Sequence, residues 1–277
     1  MRLDILISDE CYYIIGGSLA QLLGICSEDE LEIDFAFKGS ACLGEKNPDG
    51  WGYAYAKQDY WMIDKEPFKE GQFDKKEFSL RFPANFFSNF LISHIRFESQ
   101  GKRTLENTHP FTHDLFDKKW VFAHSGYVQI YRHVLESSDY PIPIGETDSE
   151  EVFCSMLGEI KSLGRMAAEK EIAKRIEKTA KELSKQGGLN FVLCDQEILY
   201  AYYSGYRTLY YTEIRPPHET NIIGEDNQLW FTLFAKDLDV QISIVASEPL
   251  IKDARWKELD LNTLYTFKNG KRIKFVL

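Results

Sequence analysis

The chain has 277 residues, of which 44% are hydrophobic, and 43 acidic against 33 basic side chains give a formal net charge of −10. This length can bury a large core, and the acidic balance argues against general binding to nucleic acid or to anionic membranes, because both need basic patches. No apolar run approaches the ~20 residues of a membrane-spanning helix. Acids within the opening MRLDILISDECYYIIGGSL disfavour a signal peptide, and five cysteines without CxxC spacing are typical of a reducing cytoplasm. We therefore expect a cytoplasmic protein.

Short runs rich in β-branched and aromatic residues, bounded by Gly, Asn and Asp, predict strands along most of the chain. In chain order the predicted strands cover residues 3–7, 12–15, 20–26, 52–56, 60–63, 90–96, 120–124, 190–194, 198–203, 208–212, 228–233, 242–246, 264–267 and 272–276.

Helices are predicted mainly in the middle of the chain. One covers residues 73–87, and another follows Thr147 and Asp148, where an acceptor side chain three residues before a Glu indicates a capping box. A third covers residues 166–185, whose apolar residues step by three or four. Strands outnumber helices, so the pattern predicts packed sheets covered by helices. Neither repeats nor Pro/Ser-rich linkers interrupt the sequence, which favours a single domain.

Five stretches carry the chemistry of this sequence. In order they are AQLLGIC (20–26), NPDGWGYAYA (47–56), SHIRFESQG with NTHPF behind it (93–111), WVFAHSGYV (120–128) and GETDSEEVF (145–153). Together they resemble the class II glutamine amidotransferases, specifically the small stand-alone branch, and NFVLCD and IVASEPL resemble that branch as well. The resemblance covers residues from about Ala20 to Pro249.

The resemblance implies an α+β fold, the four-layer αββα sandwich of N-terminal-nucleophile hydrolases, with two antiparallel sheets between helical layers. It also implies hydrolysis of glutamine to glutamate and ammonia by an N-terminal cysteine whose own α-amino group is the base. No cofactor is expected, and a productive amidotransferase would need a partner subunit that accepts ammonia. On this alignment residues 20–277 form one amidotransferase domain, and residues 1–19 are an N-terminal extension.

The nucleophile position falls on Ala20, whose methyl group cannot form an acyl-enzyme. Nineteen residues precede it, so no free amine lies there without cleavage. The family's oxyanion donors are an Asn side chain and the backbone N–H of the following Gly. Here Ser125 replaces that Asn while Gly126 remains, and loss of one such donor typically costs ~10²–10³ in turnover.

The substrate-holding positions are preserved. By resemblance, Arg96 grips the α-carboxylate of glutamine, a task suited to a planar bidentate donor. Asp148 receives the α-amino group, and Asp49 and Trp51 shape the pocket wall. From the residues alone, Arg96 can equally be a strand-end arginine in a surface ion pair, Asp148 a helix N-cap, and the Asp-Gly-Trp segment a hairpin turn.

Other candidate sites are weaker. His109 and His113 have a spacing that can hold zinc, but Pro110 between them disfavours a shared helical face, so no metal is expected. The Tyr-rich segment 199–212 lacks basic partners and predicts packed strands, not nucleic-acid binding.

The favoured hypothesis is a class II amidotransferase-like protein whose activity is absent or severely impaired. The alternative is a non-catalytic scaffold that binds an amino acid or a partner protein. A third hypothesis is an active hydrolase that uses Cys11 after processing. Residues 1–19 are either a true extension or the product of a misplaced gene start near Leu19.

Overall fold

The computed structural model describes residues 20–38, 49–67, 79–81, 86–96, 101–129, 140–226, 229–237 and 239–275. The predicted strands at 3–7 and 12–15 lie outside the described residues, as does Cys11.

The larger of two antiparallel sheets is built around one long strand, β1 (Gln21–Lys38). The other strands of this sheet are β2 (Gly50–Lys57), β3 (Tyr60–Pro67), β4 (Ser79–Arg81), β5 (Phe86–Arg96), β10 (Tyr210–Ile214), β11 (Asn221–Glu225), β12 (Leu229–Phe234), β13 (Ile242–Ala246) and β14 (Lys257–Glu258). The first half of β1 pairs with β13 on one side and β5 on the other, and its second half pairs with β12, β4 and β5, with a register shift between Cys26 and Leu31. The path across the sheet is β14-β10-β13-β1-β5-β2-β3, and β11 pairs with β12.

The smaller sheet runs in the order β16-β15-β9-β8-β7-β6. Its strands are β6 (Phe111–Leu115), β7 (Lys118–Val128), β8 (Gly187–Cys194), β9 (Leu199–Tyr203), β15 (Thr263–Lys268) and β16 (Lys271–Ile273). Most neighbours along the path are joined by short turns, which suits antiparallel pairing.

The two sheets pack face to face, because alternate residues of each strand point to opposite sides. In β1, Leu22 and Cys26 belong to the apolar layer between the sheets, together with Val121 and Val192 of the smaller sheet. The intervening Leu23 and Ile25 belong to a second apolar cluster, on the outer face of the larger sheet. Strand alternation therefore supplies one core between the sheets and another outside.

Two helices in the described ranges, α1 (Asp148–Lys161) and α2 (Glu169–Leu183), cover the outer face of the smaller sheet. Ile176 and Ala180 of α2 are fully buried there, while Ile172 and Leu183 are partly buried, as the apolar spacing predicts. This confirms the α+β sandwich of two antiparallel sheets. Within those ranges, no helix is long and apolar enough to cross a membrane.

The start of α1 differs from one alternative drawn from the sequence. Thr147 is the N-cap, and its side chain accepts a hydrogen bond from the Glu150 N–H at 3.2 Å. Asp148 is therefore the first helical residue and not the cap. The Glu150 carboxylate reaches back to the N–H groups of Ile144 and Gly145, at 3.0 and 2.6 Å. The carboxylate thus holds the incoming loop near the positive end of the helix.

The predicted helix at 73–87 is wrong where it can be compared with the structure. Residues 79–81 form β4, and Phe86 and Phe87 begin β5. Both strands pair with the second half of β1, so a long-range partner decided their conformation. The sequence pattern also failed to predict β6 and β11.

Candidate functional site

Ala20 lies immediately before β1, at the start of a central strand of the larger sheet, and is 6% exposed. Gln21 pairs with Ile95 of β5. Continued by one residue, this antiparallel register places Ala20 opposite Arg96, the last residue of β5. The structure therefore brings these two predicted positions together on neighbouring strands.

The beginning of β1 is firmly anchored. The Leu22 N–H donates to Ser247 Oγ and the Ser247 N–H donates to the Leu22 carbonyl, both at 3.0 Å. A Cβ added at Gly24 would lie 3.2 Å from side-chain atoms of Val192 and Leu199 in the smaller sheet. The even-numbered residues here therefore face the space between the sheets, and Ala20 has the same parity.

Arg96 is 3% exposed and holds the loop that follows β5. Its Nη1 donates to the Lys102 carbonyl at 3.1 Å and its Nη2 donates to the Gly101 carbonyl at 3.0 Å. The Asn107 side chain donates to the same Lys102 carbonyl and accepts from the Glu146 N–H. This burial contradicts the alternative of a surface arginine, and the fixed guanidinium organises the loops around it.

Asp49 fastens this loop from the other side. Its N–H donates to the Arg96 carbonyl at 2.8 Å, and its carboxylate forms an ion pair with Arg103 at 2.5 Å. The Asp-Gly turn thus ties β2 to the end of β5 and to the loop beyond it.

The resemblance implied that Trp51 shapes the pocket wall, but in the structure Trp51 does not line the space beside Ala20. It pairs with Ile95, and its ring packs against Phe37 and Tyr53 in the cluster on the outer face of the larger sheet. Strand alternation explains the difference, because Gly50 is paired with Arg96 and shares its side of the sheet.

Gly52 lets a second loop lie directly on β2. A Cβ at this position would lie 2.1 Å from the His109 carbonyl oxygen. The His109 ring consequently packs against the ring of His94, with centroids 4.1 Å apart. Burial, followed by the electrostatic effects of the neighbouring His124 and Arg96, lowers the pKa of His94 to about 3. The pKa of His109 is lowered chiefly by burial, so both rings are neutral near pH 7.

The structure places His109 and His113, the pair whose spacing can hold zinc, in different surroundings. No group of three or more metal-ligating side chains occurs in the described part of the chain. His113 lies on β6, where its Nδ1 contacts the Asp114 carbonyl at 2.9 Å, whereas His109 is buried under the loop.

His124 on β7 joins the smaller sheet to α1. Its Nε2 lies 3.2 Å from the Gly188 carbonyl and its Nδ1 lies 2.9 Å from Ser149 Oγ. A carbonyl can only accept, so Nε2 carries the hydrogen and Nδ1 accepts from the Ser149 hydroxyl. Burial lowers the pKa of His124, and the nearby Asp148 carboxylate opposes that shift.

The predicted oxyanion positions follow on the same strand. Ser125 is 3% exposed, and its Oγ has no hydrogen-bond partner among the described residues. Gly126 has φ +149°, and a Cβ there would lie 2.1 Å from the Gly188 carbonyl oxygen. Only glycine fits this close approach of β7 to β8.

Asp148 is buried at the start of α1, and its Oδ2 accepts a hydrogen bond from the Val128 N–H at 2.8 Å. The carboxylate is thus held at the end of β7, two residues beyond Gly126. Helix start and strand end together position it.

Two residues beside this site carried no recognisable signal in the sequence. Asn190 pairs with Ser125 across β7 and β8, and its amide donates to the Arg207 carbonyl at 2.5 Å and accepts from the Ser204 N–H at 3.1 Å. The Arg207 Nη1 in turn donates to the Ala20 carbonyl at 3.4 Å. Asn190 lies within NFVLCD, but its contacts depend on a loop that only the fold brings near.

Comparison with known proteins matches residues 19–276 to the family model described as "Glutamine amidotransferases class-II". An uncharacterized protein of Methanocaldococcus jannaschii is 32% identical over 257 residues, covering 92% of this chain and 71% of the relative. The "Putative glutamine amidotransferase" of Haemophilus influenzae is 31% identical and covers 94% of this chain and 87% of the relative.

Among solved structures, a "predicted glutamine amidotransferase" from Pseudomonas aeruginosa is similar with a TM-score of 0.78 and 25% identity, covering 92% of this chain and 100% of that one. Glutamine phosphoribosylpyrophosphate amidotransferase from B. subtilis has a TM-score of 0.52 at 14% identity, covering 91% of this chain and 48% of that one. The second similarity shows a shared fold alone.

Proposed function

Because this chain belongs to the class II glutamine amidotransferase family, we propose that it binds glutamine or a related amino acid while its amidase activity is absent or severely impaired. One observation carries the proposal. The buried residue at the start of β1, next in register to Arg96, is Ala20. A methyl group has no lone pair with which to attack the amide carbon.

The nitrogen of residue 20 supports the same conclusion. In the family the α-amino group of the cysteine is the base, whereas here Leu19 precedes residue 20 and turns that nitrogen into a peptide N–H. A peptide nitrogen cannot accept a proton at neutral pH, so both nucleophile and base would be missing in the uncleaved chain.

The oxyanion position is weakened as well. Ser125 has a shorter side chain than the family's Asn, and the amide of the neighbouring Asn190 is already bonded to Arg207 and Ser204. These two bonds fix the Asn190 side chain towards the loop after β9 and leave only one of its two amide N–H groups uncommitted.

The groups proposed to hold the amino acid are retained. Arg96 supplies a buried cation for the α-carboxylate, and Asp148 supplies a buried carboxylate for the α-amino group. Both are positioned by bonds to backbone groups, which limits the conformational entropy lost on binding. We propose that residues 20–277 act as one binding domain preceded by an extension, and that any ammonia acceptor belongs to a separate partner.

Isothermal titration calorimetry with glutamine and with glutamate tests the binding. We expect binding by the full chain, at least tenfold weaker binding for Arg96→Ala and Asp148→Asn, and no change for Arg175→Ala, which removes an arginine ion-paired with Glu159 on the helical layer. Absence of heat with either amino acid, at protein concentrations near millimolar, would contradict the proposal.

A coupled assay for ammonia released from glutamine tests the loss of activity. We expect no release above the rate in buffer. Release that disappears in Cys11→Ser would support the third hypothesis, an active hydrolase with a different nucleophile. If no amino acid binds and no ammonia is released, the partner-binding scaffold remains, for which the exposed Leu105, Ile142 and Ile144 offer apolar contacts.

A further inference from the structure

Arg207 contacts the backbone of residue 20. It lies in the loop after β9, and its Nη1 donates to the Ala20 carbonyl at 3.4 Å. Two arginines therefore lie next to residue 20: Arg96, opposite it in register on β5, and Arg207, whose guanidinium contacts its carbonyl. Either group could serve a negatively charged ligand.

The position of Arg207 is set by its own backbone. Its carbonyl accepts the 2.5 Å bond from Asn190, while the Ser204 N–H donates to the same Asn190 side chain and Ser204 Oγ accepts from the Leu189 N–H at 2.6 Å. Asn190 lies directly opposite Ser125. One bonded unit thus places Arg207 and Ser125 at the same end of the site.

Arg207 makes this end of the site positively charged. The Ser125 hydroxyl is buried without a partner among the described residues and can donate or accept. The two carbonyls nearby each already accept one hydrogen bond, that of Ala20 from Arg207 and that of Gly188 from His124. A carboxylate accepts charge-assisted hydrogen bonds from a guanidinium, whereas a neutral amide brings no charge to pair with it.

From this arrangement we infer that the site prefers an amino acid with a side-chain carboxylate, such as glutamate, over its amide. The inference rests on the proposed function, in which Arg96 takes the α-carboxylate and the end of the ligand side chain points to position 20. Because residue 20 has a methyl group in place of a thiol, no nucleophile stands next to the end of the ligand side chain. Ser125 and Arg207 then bind the distal carboxylate by charge-assisted hydrogen bonds.

Glu248 opposes this preference. Its Oε1 lies 3.4 Å from Arg207 Nη2, so it competes with a ligand carboxylate for the same cation. The pair therefore allows variants with opposite expected effects. Arg207→Gln removes the cation and leaves a shorter polar side chain, and Glu248→Gln removes its competitor without changing the side-chain size.

The experiment measures the ratio of the dissociation constants for glutamine and glutamate by calorimetry on the full chain. We expect the wild type to bind glutamate about tenfold more tightly, which corresponds to one charge-assisted hydrogen bond. Arg207→Gln should bring the ratio close to one, Arg207→Lys should restore part of it, and Glu248→Gln should increase it. Thermal melts monitored by circular dichroism verify that each variant is folded.

If Arg207 has only a structural role, its substitution should weaken the binding of glutamine and of glutamate equally. The ratio of the two dissociation constants would then stay unchanged, and that result would overturn the inference. A wild type that binds glutamine as tightly as glutamate, or more tightly, would overturn it while leaving the proposed function intact. Failure to bind either amino acid would refute the proposed function and the inference together.

Discussion

If the proposed function is right, supplying a thiol, a free amine and an amide donor at residues 20 and 125 should give the chain amidase activity. The first change is Ala20→Cys in a chain shortened so that residue 20 becomes the N-terminus after removal of the initiator methionine. This supplies the thiol and the free amine at the position next to Arg96. We expect detectable release of ammonia from glutamine, because the position is already anchored by the Leu22–Ser247 bonds.

The second change restores the amide donor at position 125 on β7. Ser125→Asn in the shortened Ala20→Cys chain should raise kcat by ~10²–10³, which corresponds to roughly 3–4 kcal/mol of transition-state stabilisation. The gain should be large because Ser125 lacks the amide donor, and the Asn190 side chain is fixed towards Arg207 and Ser204 by its own hydrogen bonds. Gly126 keeps the backbone at φ +149°, so the new side chain extends from an unchanged strand.

The matched control is Ala20→Cys in the full-length chain, which has the thiol but a peptide nitrogen in place of the amine. We expect it to release little or no ammonia, and mass spectrometry verifies the N-terminus of both proteins. If the shortened double variant binds glutamine and is folded but stays inactive, the thiol, the amine and the amide donor are not the only groups lost. Ammonia release by the wild type would refute the claim that the chain with Ala20 lacks amidase activity.

Two further predictions concern stability. Gly126→Ala should lower the free energy of unfolding by about 3 kcal/mol or more in urea titrations, because its Cβ would lie 2.1 Å from the Gly188 carbonyl oxygen. The control is Gly164→Ala, also at positive φ but with no atom within 4 Å of the added Cβ, which should lower it by only about 1 kcal/mol. Equal losses in the two variants would contradict the close approach at Gly126. For His94, burial lowers the folded pKa to about 3, so below pH ~6.5 the unfolded chain takes up a proton that the folded chain refuses. Stability should therefore be fully present above pH ~6.5 and fall by about 1.4 kcal/mol per pH unit from this residue as the pH decreases towards 3, and a slope of the unfolding free energy that is unchanged in His94→Gln would exclude that contribution.

Local patterns predicted where strands occur better than they predicted where the strands begin and end. The predicted strand at 20–26 is the first half of β1, which continues to Lys38. The acidic run Ser27–Glu30 hides this continuation, because three of its side chains are charged and its exposed residues break the alternation. Pairing resumes beyond this run, with β5 from Leu31 and with β12 from Glu32, and it carries the strand on to Lys38. Such pairing is a long-range effect that propensity does not report.

The helix start shows how similar side chains can exchange roles. Thr147 and Asp148 are both good caps, and their sequence alone does not distinguish them. In the fold, the Asp148 carboxylate is drawn to the Val128 N–H at the end of β7, so Thr147 caps the helix. A tertiary contact, not helix propensity, therefore decided where the Asp148 carboxylate lies.

The sequence by itself determined the family, the β-rich architecture and the absence of a thiol at position 20, because ordered motifs and residue identities are local facts. The tertiary structure decided what surrounds that position. Arg207 and Ser247 reach Ala20 and Leu22 from 187 and 225 residues away along the chain, and the register of β2 turns Trp51 to the outer face. Both outcomes depend on which strands pair and which faces pack together, and these are set by burial over the whole sandwich.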